Sequence, residues 1–315
     1  YGLDEHCDNA RDKIQEALEN YGVDIHFITG GTLTNLTFLS HALRPYEAVI
    51  SADTGHINTH ETGAIEASGH KVLSIPCTDG KLTADLIRPV LKQHENEHWV
   101  EPRLVYISLP TELGTVYTKE ELEKLYQFCK RHNLYLYIDG ARLAMALAVE
   151  ETQLTLKDLP DLCDAFYIGG TKNGAMFGEA LILVNDDLKD HFRFNMKQRG
   201  AILAKGWMIG VQFEELFQDN LYLELGKRSV ALAQRLKQGF IDCKIPFLCD
   251  SPTNQLFPIF PNEFAKKINE NYVTTFQCKP DENHTCLRFC TSWATNEQAV
   301  EDFIKDLKQW SYIYS

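Results

Sequence analysis

Residues 164–184 read DAFYIGGTKNGAMFGEALILV. Two short apolar runs, DAFYIG (164–169) and EALILV (179–184), flank a glycine-rich link, GTKNGAMFG (170–178). Each run is apolar on consecutive positions instead of alternating ones, the pattern of a strand buried on both faces. The link is too short for a helical crossover, so the two strands are expected to be antiparallel neighbours. Upstream lie five more runs of the same kind: 24–29 (DIHFIT), 48–52 (AVISA), 72–76 (VLSIP), 103–109 (RLVYISL) and 134–139 (LYLYID). Helical stretches separate most of them. The clearest is 119–132, where Leu122, Leu125, Tyr126 and Cys129 share one face. Thr118 precedes it, with Glu120 and Glu121 in the first turn, as suits a helix start. Strand–helix alternation predicts an α/β large domain whose sheet of about seven strands is mostly parallel, with helices on both faces.

Beyond about residue 220 the pattern changes. A long helical stretch, 221–242, is followed by strand-like runs (IPFLC, NQLFPIF, TCLRFCTSW) and a closing helix, 297–310. This predicts two domains, 1–220 and a smaller C-terminal α+β domain, 221–315. The size fits, since 315 residues exceed one typical core. A net charge of −13 without any basic stripe argues against nucleic-acid binding. No run of about 18 apolar residues suggests a membrane span, and no secretory signal opens the sequence, which starts at Tyr1 and not at Met. The nine cysteines are scattered without C-x-x-C spacing, as free thiols of a reducing cytoplasm would be.

Four features stand at the ends of the predicted strands, where parallel α/β sheets bind ligands. TGGTLTN (29–35) opens a helix, and its glycines and free amides suit a phosphate, although an ordinary tight turn reads the same. GHINTHE (55–61) places His56 and His60 four apart, on one face of a helix; H-E-x-x-H is absent, so stacking on an aromatic ring or acting as a base is the sharper reading, and no metal site is expected. Asp139 closes the 134–139 strand and needs a partner if buried: a protonated pyridine nitrogen, a helix cap or Arg142. Lys172 follows the 164–169 strand and either forms an imine with an aldehyde or faces solvent.

The order is the informative part. A phosphate turn, a histidine, a strand-end aspartate and a lysine 33 positions further on follow one another as in fold-type I enzymes of pyridoxal 5′-phosphate (PLP). Through TGGTLTN, DTGHINTHETGA, PTELGTVYT, YIDGARL, YIGGTKNGAMFGEA and LRFCTSWA the chain resembles the threonine aldolase/β-eliminating lyase family, and in particular the branch that includes phenylserine aldolase and threonine-aldolase-like proteins. The resemblance implies a fold-type I PLP-dependent transferase-like large domain. Lys172 is then the cofactor lysine, Asp139 the partner of the pyridine nitrogen and His56 the stacking imidazole. Gly30, Gly31 and Thr32 form the phosphate turn. Arg142 and Arg288 hold the substrate carboxylate, with Arg142 close to the cofactor. The family shares its active site across a homodimer or homotetramer, and Lys205 either reaches the phosphate from a second subunit or is a plain surface lysine.

The implied reaction is retro-aldol cleavage of a β-hydroxy-α-amino acid to glycine and an aldehyde; β-elimination or other amino-acid chemistry on the same scaffold is the alternative. Two departures stand out. Where family members carry a second histidine this chain has Thr111 and Glu112, and where they carry a tyrosine four residues past the stacking histidine it has His60. The acid–base groups are therefore sought among His56, His60 and Glu112. The upstream family segment that helps hold the substrate carboxylate is not visible before Tyr1.

Overall fold

The computed structural model describes residues 1–314. Seven strands form the main sheet: β1 (Asp24–Ile28), β2 (Glu47–Ala52), β3 (Val72–Ile75), β4 (Glu101–Ser108), β5 (Tyr135–Asp139), β6 (Ala165–Gly169) and β7 (Glu179–Leu183). Their order across the sheet is β1-β7-β6-β5-β4-β2-β3. The four pairings from β3 to β6 are parallel, while β7 runs antiparallel to β6. The short 170–178 link thus turns the chain back as expected. β1 is also antiparallel to β7, which the local sequence does not announce. Gly178 makes part of the turn with φ at +111°, a conformation that a side chain would strain. The inner strands are buried on both faces, with two apolar clusters on opposite sides of the sheet, and this explains their unbroken apolar runs.

The helix over Lys119–Arg131 starts as its sequence predicts. Thr118 Oγ1 accepts from Glu121 N at 3.2 Å, and Glu121 Oε2 accepts from Thr118 N at 2.8 Å. The long helix Leu221–Asp242 crosses between two cores: Tyr222 and Val230 pack into the main one, and Leu232, Leu236 and Phe240 into a third, C-terminal cluster. That cluster backs a small antiparallel sheet of β8 (Gln255–Leu256), β9 (Ile259–Pro261), β10 (Thr275–Cys278) and β11 (His284–Cys290).

Details differ from the sequence reading here. IPFLC is no strand; only Phe247 makes an isolated bridge, to Pro258. NQLFPIF is split into β8 and β9 around Pro258, whose missing N–H interrupts a ladder. β10 and the helix Asn262–Asn271 were not singled out in sequence, because β10 is a half-exposed edge strand with little apolar patterning. The closing helix extends over Glu297–Tyr314. Among the described residues no helix is long and apolar enough to cross a membrane.

Candidate active site

The parallel strands β4 and β5 end at one edge of the sheet, with Ser108 and Asp139 side by side in register. A cleft of about 370 Å³ opens there. Its walls include His56, His60, Glu112, Asp139, Arg142 and Lys172 from the main sheet's side, and Gln255, Thr275 and Arg288 from the small sheet. Seven of the sequence-predicted residues therefore meet in one place, although they span positions 56 to 288.

Asp139 forms the floor. It is 4 % exposed and collects four donors: Asn35 Nδ2 at 3.0 Å and Tyr106 Oη at 2.6 Å on one oxygen, Tyr167 Oη at 2.5 Å and Ala141 N at 3.0 Å on the other. Such a donor set satisfies both oxygens of a buried carboxylate and fixes its orientation. Tyr106 and Tyr167 reach it because β4 and β6 flank β5. Burial and the neighbouring Asp139 push both phenols far above the usual range, so they remain donors. Gly140 makes this close approach possible, since a Cβ there would sit 1.9 Å from the Tyr167 carbonyl oxygen.

Lys172 is half-buried, and among the described residues its amine has no hydrogen-bond or ion-pair partner. Burial, reinforced by the Arg142 guanidinium, lowers its pKa. A lysine desolvated beside another cation is in the state that makes an amine nucleophilic toward a carbonyl. Two acids nearby respond in the other direction. Burial pushes Glu112 up to about 7, against hydrogen bonding from Ser108; it likewise pushes Glu179, at the end of β7, up to about 7.

The two histidines occupy one helical turn, His56–Thr59, and its cap. Their rings stack at 5.4 Å with planes 14° apart. They are electrically different. His56 Nδ1 lies 2.7 Å from Glu61 Oε1, and this hydrogen bond raises its pKa. His60 is exposed, with Thr59 Oγ1 at 2.6 Å from its Nδ1; desolvation, then the positive field of His56, Arg288, Lys172 and Arg142, lowers its pKa. Glu112 Oε1 accepts from Ser108 Oγ at 2.6 Å and from the His56 backbone N–H at 2.9 Å, which ties the 111–112 segment to this turn.

Gly30, Gly31 and Thr32 are not among the residues that line the cleft. Gly31 begins the helix Gly31–Ala42, whose first-turn amides have no intrahelical acceptor. A Cβ on Gly31 would come within 3.1 Å of the Tyr167 hydroxyl, the same hydroxyl that holds Asp139. Lys205 is exposed and away from the cleft lining. Residues not singled out in sequence are Asn35, Glu61, Tyr106, Ser108, Tyr167 and Gln255. Asn35 and Glu61 lie inside the quoted motifs TGGTLTN and GHINTHE, but only the fold turns them toward Asp139 and His56.

The donor set fits PLP. An amine without a partner among the described residues, a buried carboxylate and a glycine turn with free amides match its aldehyde, its pyridine nitrogen and its phosphate. Fold and site together define a fold-type I PLP enzyme. The family model of beta-eliminating lyase matches residues 1–260, and the chain belongs to that family of PLP-dependent lyases. The low specificity L-threonine aldolase of Pseudomonas sp. (strain NCIMB 10558) is 31% identical over 320 residues, covering 98% of this chain and 89% of the relative. The enzyme of the same name from Pseudomonas aeruginosa is 29% identical over the same shares. A solved structure of Leishmania major threonine aldolase superimposes with a TM-score of 0.97 at 51% identity, covering 99% of this chain and 91% of that one.

Proposed function

We propose that this chain cleaves β-hydroxy-α-amino acids of the threonine, allo-threonine or phenylserine type to glycine and an aldehyde. The observation that carries the reading is the unpaired Lys172 amine set beside Asp139 in a cleft with two arginines. Lys172 would hold the cofactor, Asp139 would face its pyridine nitrogen, and His56 would stack on its ring. Gly30, Gly31 and Thr32 would take the phosphate, together with Lys205 of the partner subunit in a homodimer or homotetramer. When bound, PLP supplies an electron sink for the charge left on the substrate Cα when the Cα–Cβ bond breaks.

The protein's own groups do the rest. Arg142 and Arg288 bind the substrate carboxylate and so orient the β-carbon; Arg288 Nε is buried and has no partner among the described residues, ready for such an acceptor. The β-hydroxyl proton must leave for the bond to break. His56 is poorly suited to accept it, because its hydrogen bond to Glu61 favours the imidazolium form; that form can instead donate a proton, so His56 serves as an acid. His60 has its pKa lowered and is neutral at pH 7, and Glu112 titrates at about 7, so both can take a proton there and return it later.

A panel of β-hydroxy amino acids, assayed for aldehyde and glycine, tests the reaction. Release of a 2-oxo acid with ammonia instead would make the chain a β-eliminating enzyme on the same scaffold. The visible absorbance of bound PLP tests the cofactor lysine: wild type should be yellow, and Lys172→Ala should lose the band of the lysine-bound form. A colourless wild type incubated with PLP would defeat the reading.

A further inference from the structure

Behind His56, on the side away from the cleft, lies a carboxylate for which the reaction just described has no use. The Glu61 side chain is fully buried. Its Oε1 accepts from His56 Nδ1 at 2.7 Å and from Asn35 Nδ2 at 2.8 Å, while its Oε2 is buried and has no partner among the described residues. A carboxylate so placed is unfavourable unless a strong donor offsets its lost hydration. Asn35 alone is a neutral donor, so the stability of an ionised Glu61 depends on the imidazole. We propose that Glu61 is a positioning residue for His56, fixing which ring nitrogen carries the proton and holding the ring in the cleft wall, and that Asn35 ties this pair to Asp139.

The chemistry allows one arrangement. An ionised carboxylate only accepts, so His56 Nδ1 must carry hydrogen, and Nε2 is the nitrogen left for the cleft. The Asn35 amide cannot be turned around. Its Oδ1 accepts from Tyr137 Oη at 3.0 Å, which directs Nδ2 to both Glu61 Oε1 and, at 3.0 Å, Asp139 Oδ2. The line His56–Glu61–Asn35–Asp139 therefore joins three separate segments: the turn after β2, the helix after β1 and the end of β5. It links two residues that line the cleft, His56 and Asp139, through two buried side chains that do not. The charged and titratable groups around the His56 ring are Glu61, Asp139, Lys172, His60 and Glu112. Of these, only Glu61 makes a hydrogen bond to the ring. The same logic operates where a buried carboxylate holds a catalytic imidazole in one tautomer.

The catalytic consequence rests on the aldolase reading above; the tautomer does not. Nitrogen-15 NMR of histidine-labelled holoenzyme, with His56→Asn for assignment, reads the ring directly. In wild type, Nδ1 should carry the proton in the neutral form, and the ring should titrate above free histidine. Glu61→Gln keeps the shape but loses the charge. It should move the His56 titration to lower pH, mix the two tautomers, shift the alkaline limb of the kcat/KM profile down and lower kcat by about 10²-fold, within the range of acid–base contributions. Unchanged His56 signals and an unchanged profile in Glu61→Gln would overturn the proposal. So would a wild-type ring in the Nε2–H tautomer, a result that requires no variant to fold. If wild type released no aldehyde while the His56 signals moved as stated, the aldolase reading would fall and the positioning of His56 would stand.

Discussion

Replacing Glu112 by Gln should make the protein more stable at alkaline pH while removing activity. The amide keeps an oxygen for Ser108 Oγ and the His56 backbone N–H, and loses only the charge. Burial raises the Glu112 carboxyl from 4.5 to about 7. A raised carboxyl binds its proton more tightly in the folded than in the unfolded chain, so its favourable contribution is complete below pH 4.5 and is lost as pH rises through 7. Each tenfold change in proton affinity is worth about 1.4 kcal/mol, so the full span is about 3 kcal/mol. Partial contact with solvent brings this to about 1–3 kcal/mol. Urea unfolding of cofactor-free wild type and variant should thus coincide near pH 4.5. At pH 8.5 the variant should be ahead by about that amount. Its kcat should fall by about 10²–10⁴-fold, and the inflection near 7 should vanish from the pH profile. A variant that is less stable at pH 8.5, or that differs from wild type equally at both pH values, would refute the account of Glu112 as a carboxyl whose charge is unfavourable in the fold.

Two further substitutions probe the floor of the cleft. Gly140→Ala should cost about 1–3 kcal/mol or more, because its Cβ would meet the rigid Tyr167 carbonyl and would have to push β6 from β5; the urea midpoint measures it, and a loss under about 0.5 kcal/mol would contradict the packing. Tyr167→Phe removes one of four donors to Asp139 and should cost about 1.5–3 kcal/mol, the worth of a hydrogen bond to a charged group; it should also weaken PLP retention on dialysis, and wild-type values for both would mean that Tyr106, Asn35 and Ala141 suffice.

The architecture was legible because it is encoded locally. Unbroken apolar runs mark strands buried on both faces, and the nine-residue link of 170–178 is too short to cross over, so the antiparallel β6–β7 pair could be read before any coordinates. The insertion of β7 beside β1 could not be read, because pairing between distant segments leaves no local mark. The edge strand β10 escaped for a similar reason: half-exposed, it lacks the apolar pattern, yet it brings Thr275 into the cleft. Lys172, Asp139 and Arg142 were visible as residue types at or just past strand ends, which is where the topology places ligands, whereas Arg288, inside β11, came only through the family resemblance.

The division of labour among acids and bases lay beyond the sequence. His56 and His60 are four residues apart in the same motif, and nothing in their spacing distinguishes them. Tertiary structure places buried Glu61 against one and an array of cations around the other, so one pKa rises and the other falls. Glu112 becomes a candidate base only because folding removes its water. By itself the sequence determined the buried strands, the family and the lysine proposed to carry the cofactor, since these depend on patterns and chemical types along the chain. The protonation states were decided by the fold, because burial and the approach of distant charges are properties of assembled space.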